Sequence, residues 1–195
     1  MLHGVVLCGG ASRRMGTPKA LLPWRDGNLL GHAVRRLAGA GLAPLCAGPQ
    51  GWADGLPCDV IADDLPDAGP LGGIGAALAR GGCFVLAVDT PLLTPDEIRR
   101  LVLAGDGRPE VLLPVVEGRP QPLATLWPGD LLPDLRRYLG DGGRSVLGFL
   151  ARRPTLALDE PALEGMGVDP RHLQGMNDPQ SYRALLAEGE GGTTP

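Results

Sequence analysis

Short runs of apolar, often β-branched residues alternate along the chain with stretches whose apolar positions recur every three or four residues. That is the pattern of βα units around a largely parallel sheet. Gly4 to Cys8 reads as a buried first strand. Asn28 to Gly41 places Leu29, Leu30, Ala33, Val34, Leu37 and Ala38 on one helical face, with Arg35 and Arg36 off it. Pro44 to Ala47 and Cys58 to Ala62 predict short strands, Gly72 to Arg80 a helix despite its glycines, and Cys83 to Val88 the strongest strand. A helix is expected to start near Pro95-Asp96-Glu97, where proline stands early and acids fill the first turn. Glu110 to Val116, Pro122 to Trp127 and Thr155 to Leu158 predict further strands; Leu131 to Leu139, Ser145 to Arg152 and Ser181 to Glu188 predict helices.

Composition narrows the function classes. The chain has 195 residues, 44% of them hydrophobic, with 18 basic against 22 acidic side chains and a formal net charge of -4. One domain is expected over residues 1–188, and residues 189–195, which carry no core-forming side chain, are expected to be a disordered tail. No block of Lys or Arg offers a footprint for nucleic acid, and no apolar run approaches the roughly 20 residues that span a membrane. Met1 to Cys8 runs straight into a glycine loop without a signal-peptide pattern, so the expected location is cytoplasmic. Cys8, Cys46, Cys58 and Cys83 match no zinc or redox spacing and are expected to be buried thiols. With only His3, His32 and His172, any metal must be held by oxygen. Lys19 is the only lysine.

Candidate chemistry begins at Leu7-Cys8-Gly9-Gly10-Ala11-Ser12-Arg13-Arg14-Met15-Gly16-Thr17-Pro18-Lys19. A glycine-rich turn after a buried strand exposes backbone N–H groups to an anion, and Arg13 and Lys19 add charge for a polyphosphate. The spacing is neither that of a Walker loop nor that of a dinucleotide fingerprint. Asp89 follows the strongest predicted strand at its carboxyl edge, where open α/β sheets bind ligands. A carboxylate acting with polyphosphate oxygens suits Mg²⁺; a capping or turn aspartate before Thr90-Pro91 is the alternative.

On these residues the chain resembles the MobA-like nucleotidyltransferases, in particular the molybdenum cofactor guanylyltransferases, whose signature is L-x-G-G-x-S-x-R-M-G-x-x-K. The likeness continues through Asp63 and the Gly69-Pro70-Leu71-Gly72-Gly73-Ile74 segment, through Asp89-Thr90-Pro91, and through Arg119-Pro120-Gln121-Pro122, Gly143-Arg144-Ser145 and Met176-Asn177-Asp178-Pro179, covering about residues 4 to 186 in the family's order. It implies a Rossmann-like three-layer sandwich of nucleotidyltransferase type. It also implies a GTP site of Leu7, Cys8, Gly9, Gly10, Ser12, Lys19, Asp63 and Asp89, with Lys19, Arg13 and Asp89 catalytic and Mg²⁺ held at Asp89. Arg119, Gln121, Arg144 and Asn177 are implied at the acceptor.

The implied reaction moves GMP from GTP to molybdopterin, the molybdenum cofactor, with release of pyrophosphate. The amides from Cys8 to Ser12 would hold the triphosphate. Passing contact with cofactor-delivery proteins or recipient molybdoenzymes would follow from the same resemblance. A cytidylyltransferase, a sugar-1-phosphate nucleotidyltransferase and a non-catalytic nucleotide-binding module remain open alternatives.

Overall fold

The structure is a computed structural model that describes residues 2–8, 17–25, 27–62, 68–176 and 178–190, with side chains described to residue 186 of the last helix. The central sheet begins with β1 (His3–Leu7), whose Val5 and Val6 are completely buried. A two-residue hairpin, β2 (Pro23–Trp24) and β3 (Gly27–Asn28), leads into α1 (Leu29–Gly39). The Asn28 side chain caps α1 by accepting from the Gly31 amide at 2.8 Å. Next come β4 (Ala43–Ala47), β5 (Asp59–Ile61), α2 (Pro70–Leu78) and β6 (Cys83–Ala87). All five residues of β6 are buried, as befits a strand covered on both faces.

Beyond β6 the chain forms α3 (Pro95–Gly105), β7 (Val111–Val116), β8 (Arg119–Pro120), β9 (Ala124–Trp127), α4 (Leu132–Gly140) and α5 (Val146–Leu150). It ends with β10 (Thr155–Leu158), α6 (Glu160–Gly165) and α7 (Pro179–Glu190). The principal sheet has the order β5-β4-β1-β6-β9, parallel except for β9. A second sheet, β10-β7-β8, lies beside it, and the Thr125 hydroxyl of β9 donates to the Leu112 carbonyl of β7.

Alternation along the strands splits the core into two halves. Val6, Phe84 and Leu86 face α1, α3 and α6, whereas Val5, Leu7, Cys83 and Val85 face α2, α4 and α5. The result is helix layers on both faces of a mostly parallel sheet, the three-layer sandwich expected. From β1 the chain builds outward through β4 and β5, then crosses to the other side of β1 to place β6. Neighbouring strands whose connections leave in opposite directions open a crevice at their carboxyl ends. Leu7 pairs with Ala87, so β1 and β6 end level there.

Four expectations need correction. Arg36 lies on the buried side of α1, only 5% exposed, and Ala38, expected on the apolar face, is exposed; Arg35 is exposed as expected. Cys58 is half-buried; the other three cysteines are buried thiols. The last helix runs to Glu190, into the segment expected as tail, while residues 191–195 lie outside the described residues.

Candidate active site

The chain leaves β1 at Cys8 and β6 at Val88, and Asp89 stands one residue further on. Lys19 opens a single turn of 3-10 helix, Lys19–Leu21, anchored by the fully buried Ala20. Its Nζ donates to Asp89 Oδ2 at 2.7 Å and to the Met176 carbonyl at 2.8 Å. The pair is accessible to a ligand, with side-chain exposures of 18% and 22%. Partial burial strengthens an ion pair relative to one in open water.

The Met176 carbonyl is delivered from far along the sequence. Glu97 closes a capping box with Thr94 at the start of α3, and its carboxylate also accepts from the Asp169 amide at 2.9 Å and contacts His172 Nδ1 at 3.0 Å. Burial would raise the Glu97 carboxyl, but donation from Thr94, Asp169 and His172 outweighs it and holds the group below the ordinary range. The anchored turn Pro170–Leu173 then leads to Met176, whose side chain is 1% exposed and whose amide donates to the Asp89 carbonyl at 2.9 Å. At Gly175 a Cβ would come within 3.3 Å of Asp89 Oδ1, so a glycine lets this backbone close against the carboxylate.

The loop after Asp89 is held from α1. Arg36 Nη1 donates to the Thr90 carbonyl at 2.6 Å and to the Leu93 carbonyl at 2.8 Å. His32 Nε2 lies 2.9 Å from the Pro91 carbonyl; a carbonyl only accepts, so this nitrogen carries the proton. Burial, then the charge of Arg36, push the His32 pKa down to about 4 and keep the ring neutral. The Thr90 hydroxyl donates back to the Ala87 carbonyl at 2.9 Å.

Sequence reasoning missed Arg36 and His32, and it carried Met176 only within the Met176-Asn177-Asp178-Pro179 likeness, with no site role. The signal for the first two was an i, i+4 pair of polar side chains bordering the apolar stripe of α1; a backbone carbonyl such as that of Met176 has no residue-type signature. Of the predicted site residues, the structure brings together Lys19 and Asp89, with Leu7 and Cys8 at the adjoining strand end. The Cys8 amide, expected at the triphosphate, instead donates to the Ala47 carbonyl at 3.0 Å and continues the β1–β4 ladder. Amides free for an anion can therefore begin no earlier than Gly9.

Gly9, Gly10, Ser12, Arg13, Asp63 and Asn177 lie outside the described residues. Gln121 and Arg119 lie just ahead of β9, whose Ala124 pairs with Leu86 near the end of β6, and the Leu123 carbonyl accepts from the Ala87 amide at 2.8 Å. Arg119 is exposed, and Gln121 Nε2 donates to its carbonyl. Arg144 spends its guanidinium on the Leu139 and Gly143 carbonyls at the end of α4. None of these three is bonded to the Lys19–Asp89 pair.

Among the described residues no three His, Cys, Asp or Glu side chains gather to hold a metal. A single carboxylate open at a sheet edge nevertheless fits Mg²⁺, which commonly takes one or two carboxylates, substrate phosphates and waters.

A lysine and a carboxylate paired at the crossover of a doubly wound parallel sheet define the class: an α/β protein of the kind whose ligands bind at the carboxyl edge of the strands. Comparison with known proteins makes it specific. The MobA-like NTP transferase domain matches residues 4–155, and the chain belongs to that family of nucleotidyltransferases. It is similar to a probable molybdenum cofactor guanylyltransferase of Mycobacterium tuberculosis (36% identity, 96% of this chain and 94% of the relative). It is also similar to the molybdenum cofactor guanylyltransferase of Rhizobium johnstonii (34%, 77% of this chain and 75% of the relative). The crystal structure of molybdopterin-guanine dinucleotide biosynthesis protein A from Archaeoglobus fulgidus shares the fold at a TM-score of 0.83 and 21% identity, over 97% of this chain and 100% of that one.

Proposed function

We propose that the chain transfers GMP from GTP to the terminal phosphate of molybdopterin, forming molybdopterin guanine dinucleotide and pyrophosphate. The observation that carries this reading is the Lys19–Asp89 pair at the β1–β6 crossover. The names of the relatives supply the base and the acceptor. A phosphate oxygen of the acceptor attacks the α-phosphorus in line; the new P–O bond forms as the bond to the bridging oxygen of the β-phosphate breaks, and pyrophosphate leaves with the electron pair. A phosphate monoester is already a nucleophile near neutral pH, so no serine, cysteine or histidine nucleophile is required.

The protein then works by placement and charge. In this reading Lys19 exchanges Asp89 for the triphosphate and, with Arg13, offsets the charge that develops on the leaving group. Gly9, Gly10 and Ser12 offer backbone N–H groups, Asp63 takes the guanosine, and Arg119, Gln121, Arg144 and Asn177 serve the acceptor. Asp89, released by Lys19, would hold Mg²⁺. When bound there, the ion would supply charge neutralisation for the polyphosphate.

Residues 1–188 act as one nucleotidyltransferase domain in this proposal. No helix among the described residues is long and apolar enough to cross a membrane. A cytoplasmic enzyme that passes its product to recipient molybdoenzymes or delivery proteins is the matching cellular reading.

Asp89→Asn tests the assignment. The amide keeps an oxygen donor but loses the charge, so pyrophosphate release at limiting Mg²⁺ should fall on the order of 100-fold. Wild-type turnover in that variant at limiting Mg²⁺ would reject the metal role.

A further inference from the structure

The carbonyls that follow β6 cannot be satisfied by the sheet, because the chain turns away from it at Val88. Donors from elsewhere meet them instead: the Met176 amide at Asp89, Arg36 at Thr90, His32 at Pro91 and Arg36 again at Leu93. Three of these four contacts come from one edge of α1, where His32 and Arg36 stand one turn apart.

Arg36 is a costly way to fill that position. Its neighbours on the helix, Leu29, Ala33 and Leu37, are completely buried, and an apolar side chain at 36 would join the same core. The guanidinium has no ion-pair partner among the described residues, and its Nε and Nη2 find no hydrogen-bond partner there. Taking such a cation out of water is strongly unfavourable. Burial pushes its pKa down to about 9. The cost is explained by what Nη1 does, since one nitrogen ties both sides of the turn that presents Asp89.

We infer that Arg36, supported by His32, is a positioning residue for nucleotidyl transfer, setting the place of the Asp89 carboxylate by clamping the carbonyls of Thr90, Pro91 and Leu93. The inference rests on the reading of Asp89 as the group that meets the metal–triphosphate. Arg36 itself touches neither Lys19 nor Asp89; it works through the loop.

The ligand-free protein provides a readout that does not depend on the metal. Lys19 is the only lysine, so its acylation by an amine-reactive ester can be followed by intact mass beside that of the α-amino group. Asp89 Oδ2 and the Met176 carbonyl both engage its ammonium, and displacement of Asp89 removes the charged partner and so favours the reactive free amine. Arg36→Gln should speed Lys19 labelling about tenfold and weaken Mn²⁺ binding in the presence of GTP, read by electron paramagnetic resonance, by about the same factor. Arg36→Lys, which keeps a cationic donor, should recover most of both; because it adds a second lysine, its Lys19 adduct is read by peptide mass after digestion rather than by intact mass.

Circular dichroism establishes that each variant is folded. If Arg36→Gln is not, His32→Leu removes one clamp contact and should shift both readouts in the same direction. Wild-type Lys19 labelling in a folded Arg36→Gln or His32→Leu protein overturns the inference. Asp89→Asn separates the two claims. If it leaves Mn²⁺ binding unchanged, the metal reading of Asp89 fails and the labelling result still judges Arg36; if it weakens Mn²⁺ binding while Arg36→Gln leaves both readouts unchanged, only the clamp fails.

Discussion

Two glycines on α2 should respond in opposite ways to the same substitution. At Gly73 an added Cβ would lie 2.8 Å from Ala47 Cβ and 3.0 Å from Leu7 Cδ2. Ordinary carbon–carbon contact is about 3.5–4.0 Å, and Ala47 Cβ, fixed on β4, cannot rotate away. Helix and strand must therefore part, which typically costs about 1–3 kcal/mol, while alanine returns about 1 kcal/mol of helix propensity. Gly73→Ala is thus expected to destabilise by about 1 kcal/mol, lowering Tm by about 2–4 °C in a chain of this size. At Gly75 the nearest atom to the new Cβ is Leu135 Cδ2 at 3.6 Å, which is normal packing. Gly75→Ala should keep the propensity gain and raise Tm by a similar amount. Because Leu7 and Ala47 pair at the carboxyl ends of β1 and β4, the edge at which the nucleotide is proposed to bind, Gly73→Ala should also weaken GTP binding, and Gly75→Ala should not. Thermal unfolding and titration calorimetry on the pair decide the matter. A Gly73→Ala protein as stable as Gly75→Ala, with unchanged GTP affinity, would refute the close-approach argument.

Mg-GTP should protect Lys19 from acylation, and inactivation should track the Lys19 adduct one for one by intact mass; an enzyme fully modified at Lys19 that still releases pyrophosphate at the normal rate would make this lysine dispensable. His32 titrates near 4 in the folded chain against about 6.5 unfolded, so the unfolded state binds the extra proton and stability is lost as pH falls from about 6.5 to about 4. In His32→Gln that component is gone, and denaturant titrations across this window should show the wild-type advantage shrinking toward acid; a constant difference would contradict the buried, neutral ring.

Much of the architecture was legible because buried parallel strands advertise themselves. Runs such as Val5-Val6-Leu7 and Phe84-Val85-Leu86 are apolar at every position, since both faces are covered. α1 was legible through its period, but the same reasoning put Arg36 outside: a wheel scores charge as solvent-facing and cannot see a loop of carbonyls waiting to be met. The β2–β3 hairpin was missed since two-residue strands have no period. α6 was missed although Asp159-Glu160-Pro161 carried a start signal, and the Asp159 side chain does accept from the Ala162 amide. At the site, Lys19 and Asp89 were legible as residue types in a motif. Their direct pairing across 70 positions and the closure by Met176 across 157 are products of topology.

The proposed reaction moves GMP, with the help of a divalent cation, onto molybdopterin. It is tested most directly by incubating the protein with molybdopterin and either GTP or CTP labelled at the α-phosphate, with and without Mg²⁺, and following label into the dinucleotide. Transfer from GTP should run at least about tenfold faster than from CTP, a difference of about 1.4 kcal/mol that is modest for a site recognising a base edge, and should vanish in the absence of a divalent cation. Equal or faster transfer from CTP, or labelled product formed without any divalent cation, would contradict it.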